Sequence, residues 1–94
     1  MAPSLLSDPE IDQALQILDW ERVDAELVKE VTLKDFAAAL AWVNQVGALA
    51  EDRNHHPDIA ISWNKVSLRL STHSAGGLTA LDLDLAAAID ALGS

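Results

Sequence analysis

The fold is decided by residues 59–70, which read Ile-Ala-Ile-Ser-Trp-Asn-Lys-Val-Ser-Leu-Arg-Leu. Apolar side chains alternate with other residues on both sides of a short polar break, at Ile59, Ile61, Trp63, Val66, Leu68 and Leu70. Alternation with a period of two predicts strands that bury one face. Asn64 and Lys65 form a two-residue loop in this interpretation, because Asn tolerates a positive φ. The stretch therefore predicts an antiparallel β-hairpin.

The three histidines of the chain flank this hairpin. His55 and His56 precede its first strand, and His73 follows its second strand. If Trp63 lies opposite Val66, continuing the ladder to the open end places His56 opposite His73. Directly opposed residues have Cβ atoms about 4.5–5.5 Å apart. The register therefore predicts a histidine cluster at the open end of the hairpin.

Glu51 adds a carboxylate to this cluster. It lies four residues before His55 and shares a helical face with it if the preceding helix continues to Asn54. The cluster has three interpretations: a hydrogen-bonded structural cluster, a Zn²⁺ site, or metal-free general acid/base catalysis. Adjacent His55 and His56 point to opposite faces of extended backbone, which disfavours joint metal ligation. The composition alone leaves the three interpretations open.

Composition limits the class of protein. Its 94 residues fit a single domain, residues 1–94. The net charge of −9 argues against general electrostatic binding of nucleic acid or anionic lipid. No cysteine is present for disulfides or thiolate chemistry, and no run reaches the ~20 apolar residues of a membrane span. With no signal-peptide pattern at the start, a cytoplasmic location is expected.

Three segments carry helix-start signals, each with a capping residue followed three positions later by a carboxylate. They begin at Ser7, Thr32 and Thr79. The predicted helices cover residues 8–15, 33–52 and 80–92. The predicted buried faces of the second and third helices comprise Phe36, Leu40, Val43, Gly47 or Ala50, and Leu81, Leu85, Ala88, Leu92.

Two further alternating runs predict strands at residues 18–22 and 26–31, with a turn at 23–25. The order of elements is then α-β-β-α-β-β-α. This order predicts the α+β class, with a four-stranded antiparallel sheet and three helices packed on one face.

A pattern of four segments lies between residues 51 and 82. They are Glu51-x-x-x-His55-His56-Pro57, Trp63-Asn64-Lys65-Val66, Leu70-Ser71-Thr72-His73, and Gly77-Leu78-Thr79 leading into Asp82. In these segments the chain closely resembles the pterin-4a-carbinolamine dehydratases, also called 4a-hydroxytetrahydrobiopterin dehydratases, and the resemblance covers roughly residues 18–90. The distance from His-His-Pro to Ser-Thr-His is a specific part of this resemblance.

The resemblance implies an enzyme, a lyase that dehydrates 4a-hydroxytetrahydrobiopterin to quinonoid dihydropterin and so recycles pterin for aromatic amino-acid hydroxylation. It implies metal-free histidine acid/base catalysis without a cofactor. A pterin is the implied partner, together with further copies of the chain in a homodimer or homotetramer. The alternative is a non-catalytic dimerisation or assembly module on the same fold, since the family resemblance extends to both.

The resemblance also implies roles for the site residues. His55 and His73 would transfer protons, His56 would grip the pterin, and Glu51 would orient His55. The pterin-binding walls would comprise Asn54, His55, His56, Ser71, Thr72 and His73.

Four further residues have less direct assignments. By resemblance Asp82 would lie close to the substrate pocket, in addition to its place in the capping box of the third helix. Trp63 and Trp20 are either core residues or border the pterin ring. Trp42 is expected on a helix face or an interface.

Overall fold

Helices alternate with β-hairpins along residues 3–93, the part of the chain that the computed structural model describes. The elements are α1 (Asp8–Leu15), β1 (Glu21–Val23), β2 (Glu26–Thr32), α2 (Phe36–Arg53), β3 (Asp58–Ser62), β4 (Lys65–Leu70) and α3 (Ala80–Leu92). A 3-10 turn at His73–Ala75 precedes α3. The strands form one antiparallel sheet in the order β1-β2-β4-β3. The predicted α+β class and element order are confirmed.

The hydrophobic core gathers side chains from the two central strands and the helices. Buried apolar residues include Leu27, Val31, Val66, Leu68 and Leu70 from β2 and β4, and Ala39, Val46, Leu85, Ala86 and Ile89 from α2 and α3. Burying side chains of this size is the main source of folding free energy. Among residues 3–93, no helix combines the length and apolar character that crossing a membrane requires.

The cap signals at Ser7 and Thr79 are confirmed as capping boxes. In α1 the Ser7 hydroxyl accepts from the Glu10 backbone N–H at 3.3 Å. The Ser7 backbone N–H donates to the Glu10 carboxylate at 3.0 Å in return. The Ser7 hydroxyl also donates to this carboxylate, at 2.9 Å, and the two Ser7 donors lower the pKa of Glu10 below its ordinary value.

The predicted start of α2 at Thr32 is wrong. Thr32 is the last residue of β2, where it pairs with Lys65 of β4. Asp35 is the N-cap instead, and its carboxylate accepts from the Ala38 backbone N–H at 2.8 Å. Pairing with β4 therefore keeps Thr32 in the strand, and α2 begins at Phe36, three residues later than predicted.

The predicted buried face of α2 is also wrong in part. The buried positions are Ala39, Trp42, Val46 and Ala50, while Phe36 and Leu40 are 48% and 42% exposed. In α3 the buried positions include Asp82 and Ile89, and Leu81 is exposed. Apart from Trp42, the buried residues of α2 are Ala and Val, so side-chain size alone does not mark the buried face.

The hairpin between β3 and β4 has a different register from the predicted one. Trp63 and Asn64 form its loop, Ser62 lies opposite Lys65, and Ile61 lies opposite Val66. Trp63 adopts the left-handed backbone conformation, with φ +54°. The ladder ends where Asp58 pairs with Arg69, so the predicted pairing of His56 with His73 is wrong.

Trp20 and Trp42 are core residues with hydrogen-bonded indoles. The Trp20 N–H donates to Asp90 at 2.9 Å, and the Trp42 N–H donates to the Gly93 carbonyl at 2.7 Å. Asp90 also accepts from the backbone N–H of Asp19, ahead of β1. This contact holds residues 19 and 20 against α3, and β1 begins only at Glu21 rather than at residue 18.

Candidate active site

The first wall of the site is built where α2 ends. Asn54 adopts the left-handed conformation with φ +48°, and the His55 N–H donates to the Ala50 carbonyl at 3.1 Å. Asn is among the few non-glycine residues that adopt this conformation readily, and it terminates helices in this way. The turn directs His55 and His56 out of the helix before β3 begins.

The second wall is the loop between β4 and α3. The Thr72 N–H donates to the Gly77 carbonyl at 2.9 Å, which closes the loop around the 3-10 turn. Gly76 has φ +77°, a conformation that favours glycine. The loop presents His73 and Ser74 as exposed residues.

A buried imidazole–carboxylate pair lies at the base of the site. The His55 Nε2 atom is 2.6 Å from Oδ1 of Asp82, and Asp82 is completely buried. Oδ2 of Asp82 accepts from the Thr79 N–H at 2.9 Å and from the Thr72 hydroxyl at 2.8 Å. A buried charge is tolerated only when it is paired and hydrogen-bonded, and three polar contacts satisfy that requirement here.

The second imidazole–carboxylate pair is exposed. The His56 Nε2 atom is 2.5 Å from Oε2 of Glu51, with the side chains 54% and 79% exposed. The prediction that Glu51 orients His55 is therefore wrong. α2 ends at Arg53 and the left-handed Asn54 turns His55 away from the face that carries Glu51, so Asp82 contacts His55 instead.

The two walls enclose an open cleft of about 310 Å³. Its lining residues are Asn54, His55, His56, Ser71, Thr72, His73, Ser74 and Leu81. Every residue predicted for the pterin-binding walls is in this set, and Asp82 lies directly behind His55.

Ser74 and Leu81 were missed by the sequence-based reasoning. Leu81 was assigned to the buried face of α3, but it is 41% exposed and lines the cleft. Its position in the first turn of α3, next to Asp82, was the available signal. Ser74 follows His73 directly, but the 3-10 turn that brings it into the cleft has no clear pattern in the sequence.

Trp63 lies away from the cleft. It occupies the closed end of the hairpin, is 67% exposed, and is separated from the histidines by the length of β3. Five strand residues span about 16 Å, which is too far for contact with a ligand among the imidazoles. Trp63 therefore does not line the cleft, and its interpretation as a core residue is wrong.

A larger cavity, about 420 Å³, lies beside β1 and β2 and is lined by Asp19, Trp20, Glu21, Val28, Lys29 and Glu30. It contains no histidine, and the Lys29 ammonium is paired with Asp19 and Asp90, each at 3.1 Å. The smaller cleft is the better candidate, because it is lined by three imidazoles, the side chain most often used in general acid/base catalysis. Within residues 3–93, no three His, Cys, Asp or Glu side chains are grouped so that they could hold a metal ion.

The comparisons with known proteins agree on one protein family. Residues 4–92 match the family model described as pterin 4 alpha carbinolamine dehydratase. A protein of Nocardia farcinica (strain IFM 10152) is 52% identical over 93 residues, which cover 98% of each chain. One of Roseiflexus castenholzii (strain DSM 13941 / HLO8) is 51% identical over 88 residues, covering 93% of this chain and 95% of the relative. Both bear the name "Putative pterin-4-alpha-carbinolamine dehydratase".

Two solved structures are similar in fold. A crystal structure of a transcriptional coactivator/pterin dehydratase from Brucella Melitensis superposes with a TM-score of 0.89 and 34% identity, covering 95% of this chain and 98% of that one. A pterin dehydratase-like protein, identified as a RuBisCO assembly factor in the alpha-carboxysome, superposes with a TM-score of 0.65 and 25% identity. That match covers 82% of this chain and 90% of the other.

Proposed function

The chain belongs to the pterin 4 alpha carbinolamine dehydratase family, and from this membership we propose that it dehydrates 4a-hydroxytetrahydrobiopterin to quinonoid dihydropterin. The observation that carries the proposal is the cleft in which His55, His56 and His73 meet in front of the buried Asp82. The cleft brings three imidazoles to a space of about 310 Å³, within the range of small-molecule sites.

The reaction needs two proton transfers and no net change in oxidation state. The C4a–O bond breaks as a proton is delivered to the leaving hydroxyl, which departs as water. The proton on N5 is removed, and its bonding electrons form the C4a=N5 double bond. One group must therefore act as acid and another as base, which two imidazoles in opposite protonation states accomplish without a cofactor.

We assign the base role to His55 and the acid role to His73. The Asp82 carboxylate stabilises the imidazolium that forms when His55 accepts the N5 proton. His73, on the opposite chain segment and exposed to solvent, delivers a proton to the hydroxyl and regains one from water. His56 is held by the exposed Glu51 through Nε2, and it contacts the pterin ring through the edge of the imidazole that Glu51 leaves free.

A stopped-flow assay with freshly generated 4a-hydroxytetrahydrobiopterin tests this function. The proposal predicts that quinonoid dihydropterin forms faster with the protein than spontaneously, in proportion to protein concentration. Quinonoid formation at the buffer rate across the accessible protein concentrations would rule out dehydratase activity. Dialysis against a chelator is expected to leave the acceleration unchanged, since the proposed chemistry uses side chains alone.

Replacing Glu51 by glutamine is expected to have a small effect. An ion pair between exposed groups contributes about 0.2–1 kcal/mol, which corresponds to a change of a few-fold in KM or kcat. Steady-state dehydration kinetics would measure it. A loss as large as that expected for a buried partner of His55 would show that Glu51, and not Asp82, controls the reacting imidazole.

We propose that the protein acts in the cytoplasm, as one domain, in recycling pterin that aromatic amino-acid hydroxylases oxidise. The absence of cysteine from the sequence is compatible with a reducing compartment. The proposed site uses only His, Thr, Ser and carboxylate side chains, so its chemistry does not depend on the redox state of the surroundings.

Self-association into a homodimer or homotetramer is a further part of the proposal. Both outer strands of the described sheet, β1 and β3, offer an open edge, and Phe36 and Leu40 expose apolar surface on α2. Light scattering after size exclusion is expected to give a multiple of the 10.1 kDa chain mass. A monomer mass that persists at high protein concentration would contradict the oligomer and leave the dehydratase proposal in place.

A role as a non-catalytic assembly module is the second candidate. It is favoured by the similarity to the pterin dehydratase-like protein that is described as a RuBisCO assembly factor. Under that role a defined protein partner is recovered equally well with the wild-type chain and with His55→Ala. Under the dehydratase role the histidine substitution removes activity whether or not a partner binds.

A further inference from the structure

A chain of hydrogen bonds runs behind the His55–Asp82 pair. The Leu81 backbone N–H donates to the Thr79 hydroxyl oxygen at 3.2 Å. The hydroxyl oxygens of Thr79 and Thr72 are 2.8 Å apart, and the Thr72 oxygen is 2.8 Å from Oδ2 of Asp82. Thr72 is 4% exposed and Thr79 is fully buried, so water does not compete for these hydroxyl groups.

The direction of every bond in this chain is determined by counting protons. A hydroxyl has one proton, and an ionised carboxylate only accepts. The Thr72 proton therefore goes to Asp82, and the Thr79 hydroxyl must donate to the Thr72 oxygen. With Oδ2 of Asp82 occupied by the Thr72 hydroxyl and the Thr79 N–H, Oδ1 remains to accept the Nε2 proton of His55.

We infer that Thr72 is a positioning residue which, through Asp82, holds neutral His55 as the Nε2–H tautomer and leaves Nδ1 as the atom that exchanges the proton. The Thr72 hydroxyl is occupied by Asp82 and Thr79, so its contribution to the cleft is indirect. The catalytic consequence rests on the proposed dehydratase function. The tautomer does not, because it follows from the buried contacts alone.

His56 differs from His55 in the surroundings of its carboxylate partner. Its partner Glu51 is 79% exposed, and among the described contacts no buried hydroxyl fixes that carboxylate. Exposed carboxylates reorient and exchange partners with water, whereas a buried, fully hydrogen-bonded group has one arrangement. His55 is therefore the imidazole whose tautomer the fold fixes, and His56 remains free to adjust to the ligand.

The test compares Thr72→Val, which keeps the shape but removes the hydroxyl, with Thr72→Ser, which keeps the hydroxyl. In ¹⁵N NMR of labelled histidine, wild-type His55 is expected to show a protonated Nε2 and an unprotonated Nδ1. Thr72→Val is expected to give a mixture of tautomers and to lower kcat about 10-fold with little change in KM, since a hydrogen bond to a charged group is lost. Thr72→Ser is expected to retain most of kcat and the wild-type spectrum.

Thr32→Val provides a matched control, because Thr32 is exposed at the end of β2 and lies outside the cleft. A wild-type Nδ1–H tautomer would overturn the inference, whether or not the valine variant folds. An unchanged spectrum and kcat in folded Thr72→Val, or in Thr72→Ala as a second variant, would also overturn it. The expected wild-type spectrum in a chain without dehydratase activity would support the positioning and overturn only the proposed function.

Discussion

Replacing His55 by alanine is expected to lower kcat for dehydration by about 10²–10³-fold, because positioned proton transfer by a side chain contributes about 10²–10⁴-fold. The imidazole is the proposed acceptor of the N5 proton, and Asp82 behind it cannot reach the substrate because it is completely buried. The substitution also leaves one buried oxygen of Asp82 without its hydrogen-bond partner, which costs about 1–3 kcal/mol of folding free energy. Steady-state kinetics and urea unfolding separate these two effects.

Gln45→Ala is the control for this substitution, since Gln45 is an exposed polar residue of the same helix that ends at the site. Its kcat is expected to stay within about twofold of wild type, as for most surface substitutions. A folded His55→Ala protein with nearly wild-type kcat would show that His55 does not transfer the proton and that another group is the base.

Replacing Asp82 by asparagine is expected to lower kcat about 10³-fold while the protein remains folded, the scale of loss that follows a wrong histidine tautomer. The amide oxygen can take the place of Oδ2 and accept from the Thr79 N–H and the Thr72 hydroxyl. The amide NH₂ then faces Nε2 of His55 and donates to it. The ring proton must move to Nδ1, the atom that is proposed to accept the N5 proton.

Asp84→Asn is the matched control for this second substitution. Asp84 lies on the same helix and pairs with Arg53 at 2.8 Å, but its side chain is 66% exposed. Loss of such a surface pair is expected to change kcat by less than about twofold. Equal losses in the two variants would mean that charge near α3, rather than the buried contact to His55, governs the rate.

The three predicted helix starts show when a local capping signal is sufficient to predict the N-terminus of a helix. Ser7 and Thr79 are each followed at once by helical periodicity, and both form the predicted capping boxes. Thr32 carries the same signal, but β4 pairs with it, and a sheet ladder outweighs a local cap. Asp35, three residues later, is equally suited to capping, so the sequence contained the correct residue without a means of ranking the two.

The register of the β3–β4 hairpin could not be predicted from the alternation of apolar residues. Both the predicted and the observed pairing place Ile61 on the same face as Val66 and Leu68, because they differ by an even number of residues. The hydrophobic pattern therefore cannot distinguish them, and the loop decides. A positive φ at Trp63 is uncommon for a bulky residue, and no simple turn preference predicts it.

The membership of the site was predictable to a greater extent than its contacts. The two segments that line the cleft, residues 54–56 and 71–73, were both expected from the sequence. The exchange of partners, in which Asp82 contacts His55 and Glu51 contacts His56, was not expected. It depends on the left-handed turn at Asn54 and on the packing of α3 against α2, which bring residues distant in sequence together.

The proposed function requires that the pterin binds in the histidine cleft. Amide chemical shifts of the ¹⁵N-labelled chain, followed during titration with the non-reacting 7,8-dihydrobiopterin, test it most directly. If the pterin binds there, the largest saturable shifts are expected on residues 54–56 and 71–74 and on Leu81, which line the cleft. Shifts confined to the cavity beside Trp20 and Lys29, or no saturable shifts, would contradict it.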